Sequence, residues 1–411
     1  MNESNCDVLI IGGGMVGLSI AYQLLERDIA HDIIVIDKEK DLGLHSSGRN
    51  SGVLHAGLYY KPGSLKAKVC VAGARRLRAW VEEQGLPINP CGKVIIPQRL
   101  DLDVQLDLLA ERGKQNGAQV ELLDEQQLYE LIPEAKSISG RALWSPNTAV
   151  VKPSSVVSQL QLDLAKRGVQ FVQGQKSWKA HPQQKQVELN SCRLINYSHL
   201  FNCAGLQADR IAHQFGIGHQ YKLLPFKGSY WQLKPSCPIQ PQTNLYPVPD
   251  LSVPFLGVHF TPSAETNPLV SIGPTATPAW GRENYSGLQD LEPGMAIANL
   301  SLLTSQYLNN RGGFRRYVHE QAFLGLPPLL LRAAQQLIPS LQAKHLEPSQ
   351  KVGIRSQLFN HKTQHLEDDF ICLPGPSSTH VLNAISPAFT ASFALADLIL
   401  ESSGLIGATI S

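Results

Sequence analysis

The sequence predicts an α/β protein in which a twisted, mainly parallel sheet is assembled from separated segments, with an α+β domain on an antiparallel sheet threaded between them. Three observations carry this prediction. The N-terminus runs an apolar strand through a glycine turn into a helix and a second apolar strand. From residue 221 to about 281 the composition shifts to Val, Phe, Tyr, Trp and many prolines, the pattern of antiparallel strands. The C-terminus then returns to strand-and-helix character, so the first domain closes only with the last residues of the chain.

The opening unit is the most specific. Asp7 to Ile11 (DVLII) leads into Gly12-Gly13-Gly14-Met15-Val16-Gly17, after which Leu18, Ala21, Leu24 and Leu25 recur at helical spacing. Ile33 to Ile36 is a second apolar run, ending in Asp37, twenty residues beyond Gly17. This is the β-α-β dinucleotide fingerprint of Rossmann-like folds in its full context. Gly12 permits the tight turn, Gly14 lets backbone approach the phosphates, and Gly17 lets helix pack on strand. The helix that Met15 and Val16 open offers free N–H groups and a partial positive charge to a pyrophosphate. Asp37 is placed to accept hydrogen bonds from a ribose hydroxyl.

Composition narrows the rest. The chain has 411 residues, 43% of them hydrophobic and 17% charged, enough for two domains with ample core. A net charge of +2 gives no general attraction to nucleic acid. The seven cysteines are scattered without a C-x-x-C pair, which argues against a metal site or a disulfide framework and for a reducing, cytoplasmic setting. No basic-then-apolar leader and no run of eighteen apolar residues is present, so neither a signal peptide nor a transmembrane helix is expected.

Along the chain, His45 to Gly52 is too rich in Gly and Ser for an element interior and reads as a loop. A helix is predicted from Ser64, its N-cap, to near Gly85, with Leu65, Val69, Leu77 and Trp80 inward and Lys66, Lys68, Arg75, Arg76 and Arg78 on a solvated face. A strand over 92–97, helices over 102–115, 124–132 and 153–167, and a strand over 169–172 follow. Short strands are expected at 186–189 and 193–195, then a buried strand from His199 into the turn Cys203-Ala204-Gly205, and a helix over 206–215 with Asp209 in its first turns. The middle region gives strands at 228–234, 255–261 and 269–272 and helices over 288–308 and 318–341, the latter broken by Pro327-Pro328. Strands near 371–373 and 380–383 and a helix over 387–401 close the chain. The nucleotide-binding domain is thus expected from residues 1–85, 148–215 and 350–411, and the substrate domain from 86–147 and 216–349.

The stretch HSSGRNSGVLHAGLYYKPGSLKA, residues 45–67, resembles the signature of the L-2-hydroxyglutarate oxidase and dehydrogenase family, within the D-amino-acid-oxidase-like flavoproteins. The resemblance continues at 202–209, 225–230, 254–261, 353–357 and 382–390, in family order over nearly the whole chain. Two departures stand out: Thr275 where Asn is expected, and Asp37 where many relatives carry Glu.

The resemblance implies non-covalently bound FAD as cofactor. The residues agree, since a loop, a distant strand-turn and a C-terminal strand-helix all look committed to one elongated cofactor. It implies that Ser47, Arg49, Asn50 and Ser51 line the pyrophosphate, ribityl and ring, with Lys38, His45, Ser46, Cys203, Ala204, Gly205 and Arg355 as further contacts. The terminal helix is expected to aim its N-terminus, at Ser386-Pro387, at the flavin's pyrimidine edge. A helix N-terminus there stabilises negative charge on the reduced ring by ~0.3–2 kcal/mol.

The implied reaction is oxidation of L-2-hydroxyglutarate to 2-oxoglutarate by hydride transfer from C2 to flavin N5, with electrons passing to oxygen or a membrane quinone. Such chemistry needs a cation for each carboxylate and a base for the hydroxyl proton. Arg355 is the expected carboxylate clamp and Lys227 the candidate for the other carboxylate. His259 and His55 compete as base, and Tyr59 and Tyr60 are candidate substrate contacts. The residues leave three other readings: an amine or amino-acid oxidase, a glycerol-3-phosphate dehydrogenase, and a flavin-binding scaffold without turnover. A quinone acceptor would bring peripheral contact with the inner face of the membrane, for which the apolar cluster in 318–341 is a candidate, although packing is the more ordinary use of such a cluster. Oligomeric state has no signature in the sequence.

Overall fold

The computed structural model describes residues 3–190, 192–249, 257–265, 269–310, 314–321 and 324–405. Its eight-stranded first sheet is built around Glu3–Ile11, which pairs in parallel with Leu194–Asn202 on one side and Ile33–Ile36 on the other. Gln170–Val172 extends the sheet beyond Ile33–Ile36, and Ser378–Val381 lies in parallel beside Leu194–Asn202. A strand buried on both faces must be apolar throughout. Accordingly, Val8 and Ile10 enter a core with the helices Met15–Glu26, Leu65–Glu83, Pro153–Lys166 and Ala388–Ser403, while Leu9 and Ile11 face a second core with Val187, Ile195 and Ile211. Ser64 caps its helix as expected, its hydroxyl accepting from the Ala67 N–H at 3.2 Å.

The second sheet has ten strands. Its spine is the antiparallel pair Tyr221–Leu233 and Leu346–Asn360, in register from Tyr221 opposite Asn360 to Leu233 opposite Leu346. Val270–Gly273, His259–Pro262 and Asn244–Pro247 follow in order, and Lys93–Ile96 joins in parallel to Asn244–Pro247. A three-stranded sheet of Val53–Leu54, Ala149–Val151 and Ile88–Asn89 lies between the two larger ones in the chain's path.

The structure departs from the sequence reading in identifiable places. The two strands expected at 193–195 and 199–205 are one strand, Leu194–Asn202, because its polar Asn196 and Ser198 interrupt the apolar pattern without interrupting the ladder. Leu346–Asn360 was not foreseen as a strand, and the boundary drawn at residue 350 falls inside it, in the second sheet. Helix Pro327–Gln335 begins at the proline pair that was expected to break it, because Pro suits the first helical turn. In that segment Leu330, Leu337, Ile338 and Leu341 are buried in the core of the second sheet. Residues 250–256, where the expected strand 255–261 begins and the 254–261 block opens, lie outside the described residues, as do 322 and 323.

One buried ion pair ties the elements of the two sheets together. Arg282 and Asp209, with side chains 3% and 2% exposed, are paired through both carboxylate oxygens, and Asp209 also accepts the Leu223 N–H at 2.9 Å. No described helix is long and apolar enough to cross a membrane.

Candidate active site

Two cavities meet at Ser46 and Ser47, which line both, so that they form the two ends of one trough. The first end lies at the carboxyl edge of the parallel strands. Gly12 has φ +108°, and a Cβ there would collide with the Cys203 carbonyl; one at Gly17 would collide with the Gly12 carbonyl. Only glycine lets the two strand-turns, 11–14 and 203–205, close on each other. The helix Met15–Glu26 has Gly14 at its N-cap, without a side chain to cap it, and Ser47 substitutes from the loop by accepting the Met15 N–H at 2.8 Å. Asp37 accepts the N–H groups of Gly13 at 2.8 Å and Glu39 at 2.9 Å, while burial pushes its carboxyl upward.

Lys38 and His45 also line this end. Glu39, His45 and Glu283 come close enough to hold a metal ion, but the Lys38 ammonium sits among them, 2.5 Å from Glu39, 2.8 Å from Glu283 and 2.7 Å from His45 Nε2. The Lys38 ammonium thus occupies the place among these groups that a metal ion would take. His45 Nδ1 lies 2.8 Å from the Tyr285 hydroxyl, and the Arg49 guanidinium stacks 4.2 Å from the same ring.

Toward the other end the loop 45–52 is folded on itself and onto the second sheet. Asn50 donates to the Ser47 carbonyl at 2.7 Å and accepts the Gly52 N–H at 2.9 Å, and Ser46 donates to the Ile354 carbonyl at 3.0 Å. A Cβ on Gly353 would stand 2.7 Å from the Arg49 carbonyl oxygen, so the strand needs glycine where it crosses the loop. Thr390 accepts the His55 N–H and donates to the Val53 carbonyl, pinning this segment to the terminal helix. Ser386 and Pro387 line the cavity at that helix's N-terminus, and the Pro387 cap position carries no side-chain hydrogen bond.

Met15, Val16, Arg49, Asn50, Ser51, His55, His259 and Arg355 all line this end. Among its described lining residues are two arginines and two histidines but no Asp or Glu. Arg355 lies opposite Phe226 in the ladder, and its positive charge is felt by His55, Tyr60, Lys66, Tyr230 and His259. His259 Nδ1 lies 2.9 Å from the Gly257 carbonyl, an acceptor only, so Nδ1 carries the proton and Nε2 a lone pair. The ring stacks on Tyr246 with centroids 3.8 Å apart. Burial holds it down at about 3, against the Gly257 bond and with help from Lys93, so it is neutral near pH 7.

Three sequence expectations are not met in placement. Lys227 is not at the cavity: Phe226 and Gly228 line it, while Lys227 reaches Asn284 at 3.4 Å, as strand alternation requires. Tyr59 and Tyr60 stand behind the lining, Tyr59 with a buried hydroxyl lacking a hydrogen-bond partner and Tyr60 beneath Lys66 at 5.8 Å. Lys66 is not on a solvated face: it is half-buried, and burial lowers it to about 8, with Arg355 acting in the same direction. Thr275 does line the cavity, its hydroxyl accepting the Ser229 N–H at 3.0 Å.

Sequence reasoning missed Tyr230, Tyr246, Lys351 and Lys93. Lys351 stands 5.1 Å from the Tyr230 ring and is lowered by burial to about 8. Lys93 carried a usable signal, a lone charge in the apolar run Val94-Ile95-Ile96.

The glycine turns, the half-buried Asp37 carboxylate and the N-termini of Met15–Glu26 and Ala388–Ser403 fit an elongated dinucleotide. Fold and site together define a dinucleotide-dependent oxidoreductase of the two-dinucleotide-fold class. The chain belongs to the FAD dependent oxidoreductase family, whose model matches residues 7–402. It is 35% identical to the mitochondrial L-2-hydroxyglutarate dehydrogenase of Caenorhabditis elegans, over 96% of this chain and 92% of that one. It is 31% identical to the L-2-hydroxyglutarate dehydrogenase of Escherichia coli strain K12, over 93% and 90%. Among solved structures, the FAD-bound L-alpha-glycerophosphate oxidase of Mycoplasma pneumoniae superposes with a TM-score of 0.74 at 19% identity, over 98% of this chain and 95% of that one. The glycine oxidase of Geobacillus kaustophilus superposes at 0.69 and 17%, over 97% and 94%.

Proposed function

We propose that this protein oxidises L-2-hydroxyglutarate to 2-oxoglutarate with FAD held along the trough. The observation that carries the reading is the cavity lined by Arg355, His55 and His259, with no carboxylate among its described lining residues, in a chain whose curated relatives include L-2-hydroxyglutarate dehydrogenases. A dianionic substrate needs such a field.

Gly12, Gly14, Gly17 and Asp37 hold the ADP half, and Ser46, Ser47, Asn50, Ser51 and the Ser386-Pro387 helix terminus hold the ring. Bound FAD supplies the hydride acceptor. Arg355 binds the carboxylate next to the reacting carbon, since guanidinium matches carboxylate in a two-bond fork. The distal carboxylate is drawn by the field of Lys66 and Lys351, in place of the Lys227 expected from sequence. His259 takes the hydroxyl proton at Nε2, because its Nδ1–H is committed to Gly257. Electrons leave to oxygen or to a quinone; with a quinone the protein would touch the membrane surface without spanning it.

Anaerobic addition of L-2-hydroxyglutarate should bleach the flavin absorbance, while D-2-hydroxyglutarate and glycine leave it unchanged. Bleaching by glycine or sarcosine instead would establish the amine-oxidase reading. Reoxidising the bleached enzyme with oxygen or with a soluble quinone identifies the acceptor, and pelleting with vesicles tests the membrane contact.

A further inference from the structure

Lys93 is a fully buried lysine without a carboxylate partner among the described residues. Its side chain is 0% exposed, in a strand whose neighbours Val94, Ile95 and Ile96 are wholly buried. Among the described residues no carboxylate forms an ion pair with it. Its surroundings are the Tyr246 ring at 4.6 Å, the Tyr59 ring at 5.2 Å and His55 Nδ1 at 3.3 Å. A buried, unpaired ammonium is costly, and an apolar side chain of similar length would pack there at lower free energy. The polar atom it reaches among the described residues belongs to a residue that lines the cavity.

We propose that Lys93 is a positioning residue: its ammonium donates to His55 Nδ1 from behind and holds the imidazole in the tautomer that presents Nε2–H to the substrate. In this state His55 is a hydrogen-bond donor to an anionic substrate, and the base role falls to His259, whose own tautomer is the opposite one. When Lys93 gives its proton to solvent, the bond reverses. Nδ1 then carries the imidazole proton and donates to the Nζ lone pair, and Nε2 becomes an acceptor that repels a substrate oxygen.

The titratable groups facing Lys93 are His55, Tyr59, Cys70, Cys91, Tyr246 and His259. Burial moves these thiols and phenols up and these imidazoles down, whereas it brings Lys93 itself to about 7. Substrate binding should therefore weaken as pH rises through neutrality.

The proposal rests on the functional reading above for its substrate, but the tautomer can be read without any substrate. In holoenzyme labelled with 15N-histidine, the His55 signals, assigned by their absence in His55→Asn, should show Nε2–H at about pH 6 and Nδ1–H by about pH 8.5. In Lys93→Met the FAD should remain bound and the tautomer switch should vanish. The KM for L-2-hydroxyglutarate at low pH should rise roughly tenfold, as for one lost charge-assisted hydrogen bond, with a flat pH profile and a smaller change in kcat. Lys93→Arg should keep KM low to higher pH, because guanidinium does not deprotonate. Nδ1–H on His55 at low pH in the unaltered protein, or an unchanged KM profile in Lys93→Met, would overturn the proposal. Failure to oxidise L-2-hydroxyglutarate, with the tautomer switch intact, would instead overturn the substrate assignment alone.

Discussion

Lys38, at one end of the trough, and Lys93, behind the lining of the other, are handled in opposite ways. Lys38 is 28% exposed and is met by Glu39 and Glu283, whose hydrogen bonds overcome its partial desolvation and raise its pKa. Lys93 is fully buried and meets rings and an imidazole instead, so desolvation prevails and its pKa falls to about 7. The nucleotide end neutralises its charges internally and depends on shape. The ring end has arginine and histidine but no Asp or Glu among its described lining residues, and depends on field. Cofactor retention and substrate recognition should therefore fail separately when the two ends are altered.

The largest effect is expected at the nucleotide end. Gly12→Ala drives a methyl into the Cys203 carbonyl, and the purified protein should be colourless, with the flavin absorbance near 450 nm lost. Next is the joint between the sheets. Asp209→Asn strands Arg282 as a buried charge and should cost about 3–5 kcal/mol in denaturant unfolding.

At the ring end, Arg355→Ala should leave the protein yellow but weaken substrate binding by about 1.5–3 kcal/mol, roughly ten- to hundredfold in KM. A colourless Arg355→Ala protein, or a yellow Gly12→Ala protein, would remove the separation between the ends.

Acid probes the scaffold beneath both. Burial holds His199 and His380 at about 4 and His259 at about 3, while an unfolded imidazole titrates near 6.5. The unfolded chain binds these protons first. Stability is then full above about pH 7.5 and falls as pH drops toward 4, by about 1.4 kcal/mol per imidazole at pH 5.5. Urea unfolding across that range measures the slope; a flat profile would mean that the imidazoles are hydrated. The smallest effect is assigned to Lys38→Met, which should change FAD affinity and stability by less than about 1 kcal/mol, as for a partly exposed pair.

The difference between the ends also explains what could be read from the residues. Ile33–Ile36 and the Ser64 cap match the expectation because each is fixed by neighbours within one turn or one strand. The glycine turn and the acid after it are local in the same sense. Leu346–Asn360 escaped notice because EPSQKVGIRSQLFN alternates too poorly to announce a strand; it is one because Tyr221–Leu233 lies alongside it. Lys227 was assigned to the site, yet strand alternation sends its neighbours Phe226 and Gly228 to the cavity, and Lys93 was passed over although it reaches His55 from behind the lining. Lys66 looked like part of a solvated stripe, but it is half-buried, with the Tyr60 ring beside it and the charge of the distant Arg355 acting on it.

The hydrogen bonds of Thr390 to Val53 and His55 join residues more than three hundred positions apart. During synthesis, the wall pinned by these bonds is incomplete until the helix Ala388–Ser403 has left the ribosome. The cavity lined by Val53, His55 and Thr390 therefore takes its final shape only on a nearly finished chain.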